Sequence, residues 1–451
     1  MSGVPQLAGR GTSPLARTTF TTSRLLEFCS EKELRIQTGA TVERWPLVVL
    51  KELVDNALDA AEEAGIPPKI KVAVDNGKIV VADNGPGIPA KTVQALLDFS
   101  VRVSSREAYV SPTRGAQGNA LKTILAMPYS LDGNAGRVEI EADGVNHAVT
   151  FRADVVKQMP RIDHVMTGSP VKTGTRVTVH WPERACSQLA DAEVRFLQIA
   201  EDYTWLNPHL DLTWVWNGRR GHVPASVSTW ENWLPSQPTC SHWYDQARLE
   251  RLIGAYVSHG RDLTVREFIS EFRGLSGSAK QAAVLGKIGL SRAPLESLCI
   301  DGAFDKDKIA ALLAAMQAAA KPAKAQHLGL IGKKHLIRKM TECGAELDSI
   351  NYSKTFDTAD SNVPCVVEFA FGWCPKAEGR RLITGINWSP GIDNPFRQLG
   401  SDGQSLDTVL SQQRLDRDEP VIVVLHVASP RVQYLDRGKS AIAISGADDE
   451  S

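Results

Sequence analysis

The part of this sequence most suited to chemistry is a run of acidic and amide side chains, Glu52, Asp55, Asn56 and Asp59. Apolar residues recur around them at helical spacing from residue 50 to residue 61, which predicts an amphipathic helix. The polar positions are three, four and seven residues apart, so they share one helix face and their like charges repel. A positive partner should offset them. Mg²⁺ is one candidate because it takes oxygen ligands together with phosphates and waters; a solvated acidic helix face is the alternative.

A further candidate carboxylate, Asp83, stands at the end of a predicted strand over residues 78–82. The turn that it opens, DNGPG over residues 83–87, carries glycines that let the backbone approach a flat ligand closely. The carboxylate can accept a hydrogen bond from an exocyclic amine. An ordinary turn has the same composition, but the position directly after a buried strand favours a binding role.

Two other segments place turn-forming residues before a regular element. Residues 112–123, PTRGAQGNALKT, put glycines ahead of a helix that is predicted to begin near Ala120. Backbone N–H groups at such a helix start bind anions, and Lys122 would add a positive charge near a phosphate. Residues 173–176, TGTR, open a predicted strand. Each segment alone is typical of a turn, and only their order along the chain makes them informative.

Taken in order, the segments ELVDNALDA, DNGPGIP, RGAQGNALKT and TGTRVTV resemble the N, G1, G2 and G3 boxes of the GHKL ATPases, which share the Bergerat fold. This resemblance implies a site for ATP and Mg²⁺. In it, Glu52 would polarise the attacking water, Asn56 would hold the metal, and Asp83 would accept from the adenine amino group. Thr175 of the G3 box would support the adenine side.

The G2 box implies contacts with the phosphates through Gly115 and Gly118. Where the family usually has a third glycine, this chain has Ala120, as the MutL-like members do. Ser104 and Ser105 align without gaps to a nucleotide-contacting pair. The residues for which the resemblance predicts a nucleotide contact are Asn56, Asp83, Gly87, Ser104, Ser105, Arg114, Gly115, Ala116, Gln117, Gly118, Asn119, Ala120, Leu121, Lys122 and Thr175.

Among GHKL proteins, the chain most resembles the B subunits of topoisomerase VI, a type IIB enzyme, over most of its length. Residues 263–268 and 286–290 are similar to the helix-two-turns-helix module of that family. Residues 328–332 occupy the place where its transducer domain begins. Residues 426–430 and 437–441 are similar to the segment that carries the transducer's switch lysine.

The resemblance assigns that switch role to Lys439, which joins Glu52 as a candidate catalytic residue. A lysine that reaches a γ-phosphate from a separate domain is a compact charge that distinguishes ATP from ADP. Loss of the phosphate would release the domain, a ligand-dependent change between two states. Without the resemblance, Lys439 would be interpreted as a solvated surface lysine.

The elements that must position these residues predict an α+β fold. A hairpin is expected over residues 69–82, with further strands over 137–141 and 176–181, so helices would cover a mostly antiparallel sheet. Helical patterns dominate from 246 to 324 and include an alanine-rich helix over 308–320. Strands over 363–372, 381–387 and 421–427 and a helix over 406–413 follow.

The predicted architecture is therefore a Bergerat-type α/β sandwich ATPase domain, a small helical helix-two-turns-helix module and a ribosomal-S5-like α/β transducer domain. The predicted boundaries are a flexible arm over 1–23, the GHKL ATPase domain over 24–225, the linker and helical module over 226–326, the transducer over 327–445 and an acidic tail over 446–451. A chain of 451 residues is long enough for several cores.

Composition narrows the partners and the compartment. The 51 basic and 52 acidic residues nearly cancel, so any nucleic-acid surface must be local. No apolar stretch could span a bilayer, the N-terminus lacks the apolar run of a secretory signal, and the seven cysteines are scattered, which together predict a cytoplasmic protein. One local basic cluster, which forms either a phosphate-binding patch or a solvated junction, consists of Lys321, Lys324, Lys333, Lys334, Arg338 and Lys339.

The leading functional hypothesis is an ATPase that dimerises on ATP binding and couples hydrolysis to movement of the transducer. It would act on DNA with a partner that resembles the DNA-cleaving A subunit of topoisomerase VI. The alternative is a stand-alone ATP-operated DNA clamp in repair, chromosome maintenance or defence. A degenerate fold that binds nucleotide without turnover is a third possibility.

Overall fold

The computed structural model describes residues 30–98, 109–114, 120–154, 156, 159–258, 260, 262–300, 302–359, 363–399, 402–432, 434–435 and 441–444. Within these ranges the chain is a mixed α+β protein with one eight-stranded and one five-stranded sheet, which confirms the predicted fold class. No helix in the same ranges has the length and apolar character needed to cross a membrane.

The larger sheet occupies the first half of the chain. Its strands are β1 (Lys69–Asp75), β2 (Lys78–Ala82), β3 (Gly136–Ala142), β4 (Val145–Asp154), β5 (Met159–Gly168), β6 (Thr175–His180), β7 (Asp211–Trp216) and β8 (Arg219–Val223). They follow the order β5-β4-β3-β6-β2-β1-β7-β8, and all pairs are antiparallel except β1 with β7. The predicted hairpin is confirmed, because Asp75 pairs with Lys78 across a two-residue turn.

Helices cover this sheet: α1 (Glu31–Thr38), α2 (Trp45–Glu63), α3 (Ala90–Leu96), α4 (Ala120–Asp132), α5 (Cys186–Asp191) and α6 (Glu193–Leu206). Helix α2 begins with a proline in its first turn, where a missing N–H costs nothing. Its apolar positions, including Leu50, Val54 and Leu58, are fully buried and share a core with the sheet residues Ile70 and Ile79. This packing fixes which side of α2 faces away from the sheet.

A helical module follows, with α7 (Gln246–Ser258), α8 (Val265–Ser270), α9 (Ser278–Lys287), a two-residue hairpin pair β9 (Cys299–Ile300) and β10 (Ala303–Phe304), and α10 (Lys306–Ala319). The alanine-rich helix lies close to its predicted position and is capped by the Asp305 side chain, which accepts from the Lys308 N–H. Its identity as a helix-two-turns-helix module, like the predicted domain boundaries, stays a prediction.

The smaller sheet belongs to the last part of the chain. Its elements are α11 (Lys333–Glu342), β11 (Asn351–Ala359), β12 (Val363–Trp373), β13 (Arg381–Ile386), β14 (Ser389–Pro390), α12 (Leu406–Gln412) and β16 (Val421–Ala428), while β15 (Phe396–Leu399) and β17 (Ile442–Ile444) pair separately. The strand order is β11-β12-β16-β13-β14. Every residue of β16 is buried, as its apolar sequence, interrupted only by His426, favours.

Helix α6 lies between the two sheets. It packs against α2 and β7 on one side and against β13, β14 and α11 on the other. At its end, Trp205 and Leu206 belong to the same buried cluster as Ile383, Trp388 and Val424 of the smaller sheet. Helix α6 therefore contributes residues to the cores under both sheets, Phe196 and Ile199 to one and Trp205 and Leu206 to the other.

The predicted basic cluster does not occupy one surface. Lys339 is buried, with its Nζ 3.0 Å from Thr204 Oγ1 and 5.5 Å from the centroid of the Trp205 ring. The hypothesis that Lys339 belongs to an exposed patch is therefore wrong, because this lysine packs between α11 and α6. The other members of the cluster are exposed: Lys321, Lys324, Lys333, Lys334 and Arg338.

Candidate functional site

The four polar side chains on one side of α2 differ in their exposure to solvent. Asn56 is exposed and Glu52 is half-buried, whereas Asp55 and Asp59 are only 3% and 4% exposed. The alternative of a solvated acidic helix face therefore does not hold for Asp55 and Asp59. The reason is that the two buried carboxylates find positive and hydroxyl partners on neighbouring elements, so their charges do not need solvent.

Asp55 is surrounded by three side chains from three parts of the chain. Lys51 Nζ lies 3.0 Å from its Oδ2, the Tyr203 hydroxyl donates to Oδ1 at 2.7 Å, and Ser389 Oγ lies 2.7 and 2.8 Å from the two oxygens. Burial and the negative charge of Asp55, with a smaller contribution from Glu52, raise the pKa of Tyr203. The phenol therefore stays protonated and donates.

Asp59 is held by Arg114, whose side chain is almost fully buried under the end of α2. Arg114 Nη1 lies 2.7 Å from Asp59 Oδ1, and the guanidinium makes a bidentate pair with Glu62 at 2.6 and 2.8 Å. Arg114 Nη2 also donates to Asn207 Oδ1 at 2.6 Å. The described contacts of the guanidinium ends thus all go to protein groups, and a nucleotide contact through Arg114 stays a prediction.

Glu62 shows how strong this pairing is. Burial alone would raise the pKa of its carboxyl, but the positive charge of Arg114 and the hydrogen bonds from His209 and Arg114 outweigh burial and lower the pKa to about 2. His209 Nε2 lies 3.0 Å from Glu62 Oε1, and Asn232 donates to Oε2 at 3.1 Å. Glu62 is therefore an ionised structural group.

Asp83 lies at the end of β2 in a different environment. Its Oδ1 accepts the backbone N–H groups of Gly85 at 2.8 Å and Thr175 at 3.1 Å. Burial raises the pKa of this carboxyl, and the two N–H donors offset that effect only in part. Among the residues that the structure describes, Oδ2 receives no donor. Asp83 is thus a fixed acceptor with one oxygen available.

The loop before β6 packs closely against Asp83, the residue that follows β2. Gly174 has a φ of 74°, and a Cβ added to it would lie 2.0 Å from the Asp83 carbonyl oxygen, so no side chain fits. Asp83 N–H donates to the Thr175 carbonyl at 2.9 Å. The predicted adenine-side residues Asp83 and Thr175 are therefore neighbours, and Thr175 is buried.

The same loops reach both α2 and the turn between β3 and β4. A Cβ built on Gly85 would lie 3.6 Å from the Ala60 Cβ of α2. Gly87 has a φ of 88°, and a Cβ there would lie 2.7 Å from Asp143 Oδ1. The structure thus brings the Ala60 end of α2, the Asp83 turn and the Thr175 loop together where β2 ends and β6 begins.

The remaining predicted ligands fall on or near the start of α4. Helix α4 begins at Ala120, Leu121 is half-buried, and Lys122 is 2% exposed with its Nζ 2.5 Å from the Asp98 carbonyl oxygen. A contact between Lys122 and a phosphate stays a prediction. The predicted site residues that lie outside the described ranges are Ser104, Ser105, Gly115, Ala116, Gln117, Gly118, Asn119 and Lys439.

Sequence reasoning missed Tyr203, Asn207 and Ser389, which all contact the carboxylates of α2 or their partners. Asp55 and Ser389 are 334 positions apart along the chain. No motif links such distant positions in one sequence, so only the folded structure reveals them. The one local signal was the requirement for a positive or donor group beside the acidic helix, and Lys51 and Arg114 supply it.

Chemically, this edge suits a nucleotide with a divalent cation. Asp83 offers a rigid carboxylate acceptor for an exocyclic amine, and the backbone beside it excludes side chains at Gly174. Asn56 presents an amide oxygen at the surface of α2, and Mg²⁺ is commonly held by one or two such oxygens plus phosphates and waters. Glu52, one helical turn away, is a half-buried carboxylate that can act as a base.

Comparison with known proteins agrees with this interpretation. Residues 41–185 match the family model of the histidine kinase-, DNA gyrase B- and HSP90-like ATPases. This segment contains Glu52, Asn56, Asp83 and Thr175. The match confirms that the first part of the chain is a GHKL domain with the Bergerat-type fold that its four sequence boxes predicted.

Similarity to one group of proteins extends further along the chain. The B subunit of the type 2 DNA topoisomerase 6 from Archaeoglobus fulgidus is 25% identical over 420 residues, which is 88% of this chain and 66% of that protein. The protein of the same name from Natronomonas pharaonis is 34% identical over 157 residues, which is 32% of this chain and 19% of that protein. The chain thus spans less than two thirds of the length of these curated relatives.

Among solved structures, the B subunit of the DNA gyrase from Myxococcus xanthus is similar with a TM-score of 0.40, at 14% identity over 92% of this chain and 89% of that one. This similarity is too low to support a statement about function. The resemblance to topoisomerase VI B subunits that the sequence motifs predicted is confirmed by the relatives in Archaeoglobus and Natronomonas.

Proposed function

We propose that this chain is a Mg²⁺-dependent ATPase and the nucleotide-operated component of a topoisomerase VI-like enzyme. Two observations support the ATPase most, both inside the segment that matches the GHKL family: Asp83 accepts the Thr175 N–H, and the Asp83 turn packs against α2 at Ala60, one helical turn beyond Asn56. Asp83 carries the most weight, because it is fixed by backbone donors and has an acceptor oxygen that the described part of the chain leaves unused.

In this proposal each residue has a separate task. Asp83 accepts a hydrogen bond from the adenine amino group, and Thr175 holds the Asp83 carboxylate in place through its N–H. Asn56 supplies a metal ligand. When bound, Mg²⁺ neutralises negative charge on the phosphates of the substrate. Glu52 orients the attacking water and accepts its proton, which typically contributes a rate factor of about 10² to 10⁴.

Three further parts of the proposal extend beyond the site. The glycine-rich segment 115–118 would contact the phosphates, and Lys439 would contact the γ-phosphate from the second domain. ATP binding would dimerise the chain, and hydrolysis would release the transducer. The relatives named as topoisomerase 6 B subunits support DNA as the target and an A-type protein as the partner.

The ATPase is tested by replacing the proposed base. We expect Glu52→Ala to lower ATP turnover by about 100-fold or more, because it removes the general base. Affinity for a fluorescent ATP analogue should stay within a factor of about 3, less than 1 kcal/mol. Glu63→Ala is the matched control, since Glu63 lies on the same helix but is exposed at its end. Turnover that persists in Glu52→Ala would show that the base assignment is wrong.

The topoisomerase part of the proposal needs a second assay. Mixed with an A-type DNA-cleavage protein encoded beside it, the wild-type protein should relax supercoiled DNA only when ATP and Mg²⁺ are present. ATP turnover without relaxation would instead support the alternative of a stand-alone ATP-operated clamp. Nucleotide-dependent dimerisation, followed by light scattering, is expected in either case.

A further inference from the structure

The turn between β13 and β14 has an unusual residue at its tip. Ile386 pairs with Ser389, so Asn387 and Trp388 form a two-residue hairpin turn, with φ angles of 48° and 64°. Such turns require positive φ at both positions and usually contain Asn-Gly. An L-residue other than glycine in this conformation costs roughly 1–2 kcal/mol. The tryptophan at this position is only 1% exposed, so the contacts of the turn must offset this cost.

Each residue of this β13–β14 turn, Asn387–Trp388–Ser389, makes a hydrogen bond to the ATPase domain. The Asn387 amide donates to the Thr113 carbonyl at 3.2 Å, directly before Arg114. The Trp388 carbonyl accepts from the Asn207 amide at 2.8 Å, and Asn207 in turn accepts from Arg114. Ser389 Oγ donates to the Asp55 carboxylate at 2.7 Å.

The other side of the turn is fixed to the smaller sheet. The Asn387 N–H donates to the Val427 carbonyl at 2.8 Å, and its side-chain oxygen accepts from the Ser429 N–H at 2.9 Å. The Trp388 N–H donates to His426 Nε2 at 3.1 Å. The turn is therefore hydrogen-bonded to the end of β16, a strand whose residues are all buried.

Ser389 links two charged groups of α2 at once. Its hydroxyl donates to Asp55 and accepts a hydrogen bond from Lys51 Nζ. Tyr203 donates to the same carboxylate, so α2 is held from both α6 and the smaller sheet. Asp55 is therefore where α2 meets the second domain.

We propose that the β13–β14 turn positions α2 for ATP hydrolysis, with Ser389 as the positioning residue that sets the rotation of the helix and hence the place of the Glu52 carboxylate. This inference rests on the proposed ATPase function. Asp55 and Glu52 lie on the same helix, three residues apart, so holding one carboxylate fixes the direction of the other. Ser389 itself does not contact the substrate.

The expected effect follows from the geometry of a helix. Side-chain ends lie about 5–6 Å from the helix axis, so a rotation of about 10° moves them by about 1 Å. A displacement of that size at a reacting group can lower a rate by about 100-fold. The Asp83 carboxylate lies after β2 and is held by the backbone N–H groups of Gly85 and Thr175, neither of which belongs to α2. Loss of Ser389 should therefore lower kcat more than it weakens binding.

The test compares Ser389→Ala and Tyr203→Phe with Ser241→Ala in the full chain. Tyr203→Phe removes only a hydroxyl from the same carboxylate and keeps the ring, so it tests from α6 whether the anchoring of Asp55 sets kcat, even if Ser389→Ala does not fold. Ser241 is the matched control because it is fully buried and its hydroxyl has no partner among the described residues. Each variant is measured for kcat per nucleotide-binding site, KM for ATP, affinity for a fluorescent ATP analogue and Tm.

We expect Ser389→Ala and Tyr203→Phe to lower kcat by about 10- to 100-fold with KM and affinity within about threefold. Ser241→Ala should match the wild type. A merely structural role would lower Tm and the number of binding sites but leave kcat per site unchanged, and that result would overturn the positioning role. If the wild type itself has no turnover, the proposed function fails and this inference fails with it. Suppose that the wild type hydrolyses ATP and Glu52→Ala does not. A kcat of Ser389→Ala equal to that of the wild type then overturns the positioning role alone.

Discussion

Two carboxylates, Glu62 on α2 and Asp83 directly after β2, differ in whether protein groups compensate their negative charge. Glu62 lies against Arg114 and His209, and their charge and hydrogen bonds lower its pKa to about 2 in spite of burial. Asp83 is also largely removed from water, but burial raises its pKa and only two backbone N–H groups oppose that effect. No cation lies against Asp83 in the described part of the chain.

The difference separates a structural carboxylate from one that is suited to a ligand. Every oxygen of Glu62 is engaged by protein donors, so the protein itself already compensates its charge. Asp83 has an oxygen, Oδ2, that receives no donor from the described residues and can accept one from a ligand. Perturbed titratable groups with unused hydrogen-bonding capacity are typical of functional sites. Substitutions at Glu62, at its partner Arg114 or at Asp83 test this difference.

The largest effect is expected from removing the cation beside Glu62. Arg114→Met leaves the buried carboxylates of Asp59 and Glu62 without their partner, so the free energy of unfolding should fall by about 3–5 kcal/mol. Urea unfolding followed by tryptophan fluorescence measures it. Arg338→Met is the control, because its pair with Glu342 is half exposed and such pairs contribute about 0.2–1 kcal/mol. Equal losses in the two variants would contradict the structural role of Arg114.

A change of pH should have a somewhat smaller effect on the free energy of unfolding. The folded pKa of Glu62 lies below its ordinary value of 4.5, so ionised Glu62 stabilises the fold fully above about pH 4.5 and loses this contribution as pH falls toward 2. A shift of this size corresponds to roughly 3 kcal/mol at most. Glu62→Gln should therefore be less stable than wild type at pH 7 and lose less stability between pH 4.5 and 2. If the free energies of unfolding of the two proteins change in parallel over that range, ionised Glu62 does not stabilise the fold.

Much of the fold could be predicted from the sequence, because local patterns of apolar and polar residues determine many of its helices and strands. The alternation of residues 69–82 with a two-residue turn predicted β1 and β2, and the apolar spacing around Glu52 predicted α2. Edge strand β11 was not predicted, since its alternating polar residues face solvent. Helix α11 was not predicted, because its many charged residues outnumber the few positions that it buries, His335, Leu336, Lys339 and Met340.

The site was predictable only in part, for a different reason. Four ordered boxes located Glu52, Asn56, Asp83 and Thr175, because each box is continuous in sequence. The burial of Asp55 and Asp59 could not be predicted, since their partners come from distant positions such as Ser389. Pairing across hundreds of residues is decided by the packing of the two sheets through α6.

The most direct test of the central claim is nucleotide binding by Asp83→Asn. The substituted side chain can still accept from the Gly85 and Thr175 N–H groups, but it presents an NH₂ donor where the adenine amino group should donate. A hydrogen bond to a charged group contributes about 1.5–3 kcal/mol, so affinity for a non-hydrolysable ATP analogue should fall by about 10- to 150-fold while Tm stays close to wild type. Asp132→Asn, which alters a carboxylate that accepts only the Ala135 N–H among the described residues, should bind like the wild type. A folded Asp83→Asn protein that binds the analogue as tightly as the wild type would contradict the account.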